Sequence, residues 1–274
     1  MAQIDVGYEI MNKLLRCCAG GTLLVALGIN PAIADDQALA KASQNPVAAM
    51  ISLPMKNKFE FGRGSEDAFA YELELQPVYP VSIGKMNLIN RFIVPIAYRE
   101  GAFPGEDNEA GLRNITYQAF FSPAEAGEII WGIGPTMTIP TNTNDSLGSD
   151  KWAAGPAALA LTMQGSWVSG VLGQHFWDFA GDNDEPDINL STLQYFVNYN
   201  TPDYYINTSP TMSYNWEAKS DEAWTIPIGA GIGKVIRFND TPVDLRISAY
   251  KNVEAPDSAP DWFAEFQIKL LFPK

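Results

Sequence analysis

Residues 204–216, YYINTSPTMSYNW, alternate between two kinds of side chain along their whole length. Every second residue from Tyr204 to Trp216 is mostly apolar, and nearly all of those between, from Tyr205 to Asn215, are uncharged and polar. Because side chains of a β-strand point alternately to its two faces, this pattern predicts one strand with an apolar and a polar face. Strands of soluble domains usually have about five or six residues, so a strand this long is typical of one that crosses a membrane.

The N-terminal residues predict export of the chain. Lys13 and Arg16 precede an apolar run that ends in the small-residue pattern of residues 32–34, as in a secretory signal peptide over residues 1–34. Met11 is an alternative start of the chain. The apolar run is too short to span a bilayer as a helix, and no run after it is long enough either.

Both cysteines, Cys17 and Cys18, lie inside this segment, so the chain from about Asp35 has neither a disulfide framework nor a thiolate site. A lipoprotein anchored through one of these cysteines is the competing interpretation, which the apolar run disfavours because it follows them. The net charge of -14 survives removal of the segment and argues against nucleic-acid binding, which needs a basic surface.

Similar alternation recurs in about twelve segments of the chain. These predicted strands lie near residues 55–62, 69–79, 87–98, 113–121, 128–139, 152–163, 166–177, 191–200, 203–216, 223–236, 243–251 and 262–272. Many have the roughly nine to eleven residues that a tilted strand needs to cross a bilayer. A soluble β-sandwich also alternates, so the connections and the aromatic residues must separate the two folds.

Short connections such as 123–127 and 201–202 alternate with longer, acidic ones such as 99–111 and 178–189. Outer-membrane barrels have short periplasmic turns and longer extracellular loops. The tryptophans are predicted to form two interfacial girdles. Beside the long connections are Trp152, Trp177, Trp216, Trp224 and Trp262; near the short turns are Trp131 and Trp167. The sequence therefore predicts an all-β fold, an antiparallel up-and-down transmembrane β-barrel of about twelve strands over residues 55–274, in the outer membrane of a Gram-negative bacterium.

If the apolar side chains face lipid, the residues between them face the lumen. The charged ones lie on the first three and the last two strands and are predicted to form one contiguous wall: Lys56, Lys58, Glu60, Glu72, Glu74, Arg91, Asp244, Arg246, Glu265 and Lys269. The opposite wall is predicted to be neutral and polar: Asn114, Thr116, Gln118, Thr136, Thr138, Thr192, Gln194, Asn198, Asn207, Ser209, Thr211 and Ser213.

The charged wall has five basic and five acidic residues, so weak ion selectivity is expected. Two interpretations stay open: a narrow polar channel, or an interior filled by ion pairs. Twelve strands lie between about eight, which side chains just fill, and about sixteen, which leave a water channel.

Catalysis, metal binding and cofactors find little support in the sequence. His175 is the only histidine, and Ser169, the nearest serine on its side of the strand, is roughly 20 Å away along the strand. A serine of another strand stays open as a partner. One imidazole without cysteine is not a metal site. The acidic run 181–187 is better explained as a solvated loop than as a cation site, and the glycines of 229–233 as small residues that let a barrel wall curve.

Residues 35–54 precede the first predicted strand and lack alternation. Residues 37–43 favour a short helix. Two placements stay open: a disordered periplasmic tail, or a plug folded into the lumen. In the second, the covering side chains are Val47, Met50, Ile51 and Leu53, and the covered ones include Phe120 and Phe196.

Short motifs along nearly all of the exported chain resemble one protein family. They are QNPVAAMISLP (44–54), WGIGP (131–135), KWAAGP (151–156), FAGD (179–182), NWEA (215–218), WTIPIGAG (224–231) and the terminal LLFPK. The sequence resembles the outer-membrane transporter-like family labelled meta-pathway phenol-degradation proteins. That resemblance implies a β-barrel in a Gram-negative outer membrane and uptake of aromatic or other hydrophobic compounds, and it carries over no binding residues. Lys274 ends the chain where barrels usually have an aromatic residue, so Phe272 is expected to serve in its place.

The sequence therefore predicts a non-enzymatic channel or transporter for passive uptake of small solutes. Its expected partners are outer-membrane lipid and lipopolysaccharide, the outer-membrane assembly machinery and a small-molecule solute. The alternative is a structural or adhesive barrel with acidic surface loops and no open pore.

Overall fold

The structure, a computed structural model, describes residues 32–273. The predicted signal peptide, with both cysteines, lies almost entirely outside this range. Within it are one helix, α1 (Ala32–Ser43), and a single 3-10 turn, Asp145–Leu147. The strand segments are β1 (Ile51–Arg63), β2 (Ala68–Leu75), β3 (Val78–Ile83), β4 (Met86–Arg99), β5 (Glu109–Leu112), β6 (Ile115–Pro123), β7 (Ile129–Ile139), β8 (Lys151–Gln164), β9 (Trp167–Gly181), β10 (Asn189–Asn200), β11 (Tyr205–Thr208), β12 (Thr211–Asn215), β13 (Trp224–Phe238), β14 (Thr241–Glu254) and β15 (Pro260–Phe272). No helix in residues 32–273 has the length and apolar character needed to span a membrane.

The strand segments form one closed antiparallel sheet. Successive barrel strands pair with each other, and β15 pairs with β1 to close the barrel. Three of the barrel strands are interrupted and are therefore seen as two segments each: β2 with β3, β5 with β6, and β11 with β12. The fifteen segments thus make twelve barrel strands. The predicted fold, an antiparallel up-and-down barrel of about twelve strands, is confirmed.

The long run 204–216 is one of the interrupted strands. β11 and β12 are separated at Ser209 and Pro210, since proline has no N–H to donate to a neighbouring strand. The alternation survives in β11, where Tyr205 and Asn207 are buried and Ile206 is exposed. The strand therefore has the two faces that the sequence predicts, although its hydrogen-bonded ladder is broken.

The first strand begins at Ile51, before the boundary predicted at residue 55. Pro54 lies inside β1, and its carbonyl accepts from Gln76 N–H (2.9 Å), between β2 and β3. The N and C=O of a strand residue point to the same side, so the proline nitrogen faces an existing gap in the neighbouring strand. Ile51 and Leu53 pair with Phe272 and Leu270 on the face that points away from the lumen, so they do not cover lumen side chains as the plug hypothesis assumed.

The two rims of the barrel differ in their connections. On one rim they are short: 84–85, 124–128, 165–166, 201–204 and 239–240. On the other they are mostly longer: 64–67, 100–108, 140–150, 182–188, 216–223 and 255–259. All seven tryptophans are between 37% and 58% exposed, five beside the long-loop rim and two beside the short-turn rim. Between them, side chains such as Ile133, Ile232 and Ile247 are exposed in mid-strand, as expected of a lipid-facing belt.

The apolar core lies inside the barrel. Its members come from β4, β6, β8, β9, β10 and the segment before β1: Val47, Ile89, Phe120, Ala157, Leu159, Leu161, Val168, Leu172 and Phe196. One part of the inner wall is therefore apolar, and it extends beyond Phe120 and Phe196, the two apolar lumen side chains named from the sequence. Strand β8 explains the difference, because Ala158 and Ala160 lie between Leu159 and Leu161, and both faces of the strand are apolar.

Candidate functional site

Residues 43–50, which we call the internal segment, lie against the inner wall of the barrel. Ser43 Oγ donates to Asp244 Oδ2 (3.0 Å), and Lys269 Nζ donates to the Ser43 carbonyl (2.5 Å). Across the lumen, the side-chain amides of Gln44 and Asn200 exchange two hydrogen bonds of 2.9 and 3.0 Å. The internal segment is thus attached to strands on two sides of the barrel.

Val47 joins the internal segment to the apolar part of the wall. Its side chain is 4% exposed and packs in the cluster that contains Ile89, Phe120 and Phe196. Met50 is also buried. Of the side chains that the plug hypothesis named, Val47 and Met50 therefore lie in the lumen, and Val47 packs with both phenylalanines.

The charged wall divides into two halves along the barrel axis. In the half toward the long loops, basic and acidic side chains form ion pairs. Lys56 Nζ lies 3.1 Å from Glu74 Oε2 and 3.7 Å from Glu265 Oε1, and Lys58 Nζ lies 2.7 Å from Glu60 Oε1. These five side chains connect β1 with both of its neighbours, β2 and β15.

Two arginines of this half were not predicted to face the lumen. Arg63 Nε lies 3.8 Å from Glu60 Oε2, because a β-bulge at Gly62, whose φ is 71°, shifts the following residue to the other face. Arg113 lies in the interruption between β5 and β6, and its Nη1 pairs with Glu72 Oε2 at 2.5 Å. The only sequence signal that Arg63 faces the lumen is the glycine that precedes it. No sequence signal indicates this for Arg113.

The half toward the short turns holds four of the predicted charged residues, which behave differently. Arg91 Nη2 donates to Gln76 Oε1 (2.5 Å), and Arg246 Nη2 donates to Gln267 Oε1 (3.1 Å). Asp244 accepts from the Tyr205 hydroxyl (2.6 Å) as well as from the internal segment. Within residues 32–273, Arg91, Arg246 and Lys269 form no ion pair within 4.0 Å.

The predicted polar wall lies mostly where β6, β7, β10 and β12 line the interior. Gln118 donates to Gln174 (2.7 Å), and Gln194 donates to the Ser209 carbonyl (3.1 Å). Asn207 is 1% exposed and donates to Ser209 Oγ (3.2 Å). Lining residues of the interior cavities include Thr116, Thr138, Thr192, Asn198, Ser209 and Thr211. Ser213 lies opposite Thr192, and Thr136 is buried.

Asn114 departs from this prediction. It lies in the interruption between β5 and β6, and its side chain donates to the carbonyl of Ser149 (2.7 Å) in the connection 140–150. The position belongs to the loop structure because the strand ladder is not continuous there.

Several cavities occupy the interior, one of them of about 290 Å³ beside Lys58, Thr211 and Glu265. Two others adjoin each other. One of about 130 Å³ lies between the internal segment and the half of the charged wall nearer the short turns. The other, of about 510 Å³, extends toward the long loops and is lined by polar side chains and by Ile93, Leu172 and Phe176. Both are lined by Lys56, Gln76, Arg91 and Gln194, so they are neighbours along the axis.

His175 has a serine partner from the adjacent strand, the alternative that the sequence left open. Its Nδ1 lies 2.8 Å from Ser191 Oγ, which also accepts from Trp216 Nε1 (2.9 Å). The pair is on the outward face, where His175 contacts Trp177 with ring centroids 3.9 Å apart. Within residues 32–273, Nε2 of His175 has no hydrogen-bond partner, so the group that orients a catalytic imidazole in a triad is not among its contacts.

The acidic run 181–187 forms part of a loop that an ion pair holds in place. Lys151 Nζ lies 2.6 Å from Asp187 Oδ1 and 3.1 Å from Asp178 Oδ2. No group of three or more metal-ligating side chains occurs among the residues described. The glycines of 229–233 lie inside β13, in mid-strand.

No protein-family model matches the sequence, and no curated protein matches it either. The structure is similar to an outer membrane channel from Pseudomonas putida F1, with a TM-score of 0.65 and 15% identity over 82% of this chain and 96% of that one. Two other barrels match less well: outer membrane phospholipase A from Escherichia coli (TM-score 0.46, 13% identity, 81% and 92% of the chains) and the NanC porin (0.47, 11%, 81% and 100%). At these identities the likeness concerns the fold, which is that of an outer-membrane β-barrel. It gives the label of phenol degradation no support.

Proposed function

We propose that this protein is an outer-membrane channel for passive uptake of small solutes, narrowed by the internal segment. The observation that carries the proposal is a polar and charged interior that contains two adjoining cavities. A barrel whose interior served only as a packed core would have little such space. The solute would enter between the long loops and meet the internal segment near the short-turn rim.

The apolar part of the inner wall favours passage of solutes that are themselves partly apolar. Ile93, Leu172 and Phe176 line the larger cavity beside Gln118 and Gln174. Sites for small organic molecules are mostly apolar and have a few polar groups that fix the orientation of the ligand. Uptake of aromatic or other hydrophobic compounds fits this lining.

The partners proposed for the outer surface follow from its chemistry. The exposed apolar belt and the tryptophans would contact outer-membrane lipid and lipopolysaccharide. Phe272, 44% exposed at the end of β15, would serve as the aromatic residue that the assembly machinery recognises.

Deleting residues 37–50 tests the proposal. Proteoliposomes that contain the full chain should swell slowly in small, uncharged solutes, and those with the deletion variant should swell faster, because the lumen is wider. Both proteins must first give the heat-modifiable gel band of a folded barrel. Equal swelling of the two would remove the internal segment from the permeation pathway, and no swelling with either would favour a structural or adhesive barrel without a pore.

A further inference from the structure

The cavity beside the internal segment is strongly basic. Four basic side chains line it, Lys56, Arg91, Arg246 and Lys269, against one acidic side chain, Asp244. The positive charge of Lys56 is compensated by its ion pairs with Glu74 and Glu265. The other three basic residues have no ion pair within 4.0 Å among the described residues, and the single carboxylate of Asp244 leaves this level of the lumen with a net positive charge.

Two donors of this cluster have no acceptor. Nε of Arg91 and Nε of Arg246 are buried, and neither has a hydrogen-bond partner in the part of the chain that the structure describes. A buried N–H without an acceptor is costly, and more so on a charged group. Both guanidinium groups line the same cavity, so one bound acceptor there could satisfy both donors.

The neighbouring carboxylates are already engaged. Asp244 accepts from Tyr205 and from Ser43, and Glu74 accepts from Gln76 Nε2 as well as pairing with Lys56. Neither carboxylate accepts from either Nε, so among the described residues both donors are open to a bound ligand or water. A carboxylate suits them, because its two oxygens match the geometry of a guanidinium group.

The adjoining cavity indicates that the ligand also has an apolar portion. Arg91 also lines the cavity of about 510 Å³, whose wall includes Leu172, Phe176 and Ile93. A ligand with its anionic group at Arg91 would have its remaining atoms next to these side chains. An inorganic anion would leave that surface unused.

We infer that the lumen contains a binding site for a small organic carboxylate, with the carboxylate at Arg91 and Arg246 and an apolar body in the larger cavity. The inference deepens the proposed channel function, on which it rests, by naming the chemical class of the solute. Lys269 would add positive charge while it holds the Ser43 carbonyl.

Calorimetric titration of the purified full chain in detergent tests the site, with benzoate as probe and benzyl alcohol as its neutral counterpart. Benzoate should bind and benzyl alcohol should bind at least about tenfold more weakly, since the alcohol lacks the charge-assisted hydrogen bonds. The variants Arg91→Gln and Arg246→Gln should each weaken benzoate binding by about tenfold or more. Lys85→Gln, which removes a positive charge from an exposed turn at the same rim, should leave it unchanged.

Equal affinity for benzoate and benzyl alcohol in the unmodified protein would overturn the site, and this comparison does not depend on whether a variant folds. Unchanged benzoate binding in both arginine variants would overturn it as well. The swelling experiment keeps the two proposals separate. Swelling without benzoate binding overturns the site and leaves the channel, whereas benzoate binding without swelling overturns the channel and leaves the site.

Discussion

Lys56 lies at the seam where the barrel closes. Its strand, β1, pairs with β2 on one side and with the last strand, β15, on the other, and Lys56 forms an ion pair in each direction. The side chains of Lys56 and Glu74 are 20% exposed and that of Glu265 is 11% exposed, so water screens these pairs only partly. A single ammonium group therefore pairs with one carboxylate on each of the two neighbouring strands.

Replacing Lys56 by Met should destabilise the barrel by about 1–3 kcal/mol, because two poorly hydrated carboxylates lose their counter-charge. The temperature at which the compact gel band of the unheated protein disappears should fall. Lys85→Met, on an exposed turn, removes the same charge and should not change that temperature. Equal temperatures for the two variants would show that the seam does not depend on this ion pair.

At the scale of strands, alternation was enough to locate all twelve barrel strands and most of the charged side chains in the lumen. It failed where the two-residue period breaks. The bulge at Gly62 brings Arg63 inward, and the interruption before Ile115 places Asn114 in loop structure. In β8 both faces are apolar, so alternation does not indicate which one faces the lumen.

The placement of the internal segment could not be predicted from local sequence. Its contacts join residues far apart in the chain: Ser43 with Asp244, and Gln44 with Asn200. A short stretch with a few apolar residues has the same composition in a tail or in a lumen. Only the barrel supplies the partners that distinguish the two placements.

Val47→Asp should detach the internal segment from the wall, because it buries a carboxylate among Ile89, Phe120 and Phe196 at a cost of several kcal/mol. Proteoliposomes with this variant should swell faster than those with the unmodified chain. Ala49→Asp is the matched control, since it adds the same charge to the same segment at an exposed position. If both variants swell alike, added charge and not detachment explains the change.

At the scale of the whole molecule, the lumen charges balance neither in number nor in position, because Arg63 and Arg113 add two basic side chains to the five basic and five acidic ones expected from the sequence. The carboxylates of Glu60, Glu72, Glu74 and Glu265 are paired in the half toward the long loops. The basic side chains of the other half lie beside the internal segment, around the smaller of the two adjoining cavities, and outnumber the acidic ones. Ion selectivity depends on the charges that line a pore, so we expect an anion preference in place of the weak selectivity predicted from the sequence.

Single-channel recording in planar bilayers under a KCl gradient tests the proposed channel most directly. The full chain should give discrete openings of small conductance, with a reversal potential displaced toward that of chloride. The displacement should shrink at high salt, where the screening length falls to about 3 Å. A folded, heat-modifiable preparation that gives no openings, or one whose reversal potential lies toward that of potassium, would contradict a channel narrowed beside these basic side chains.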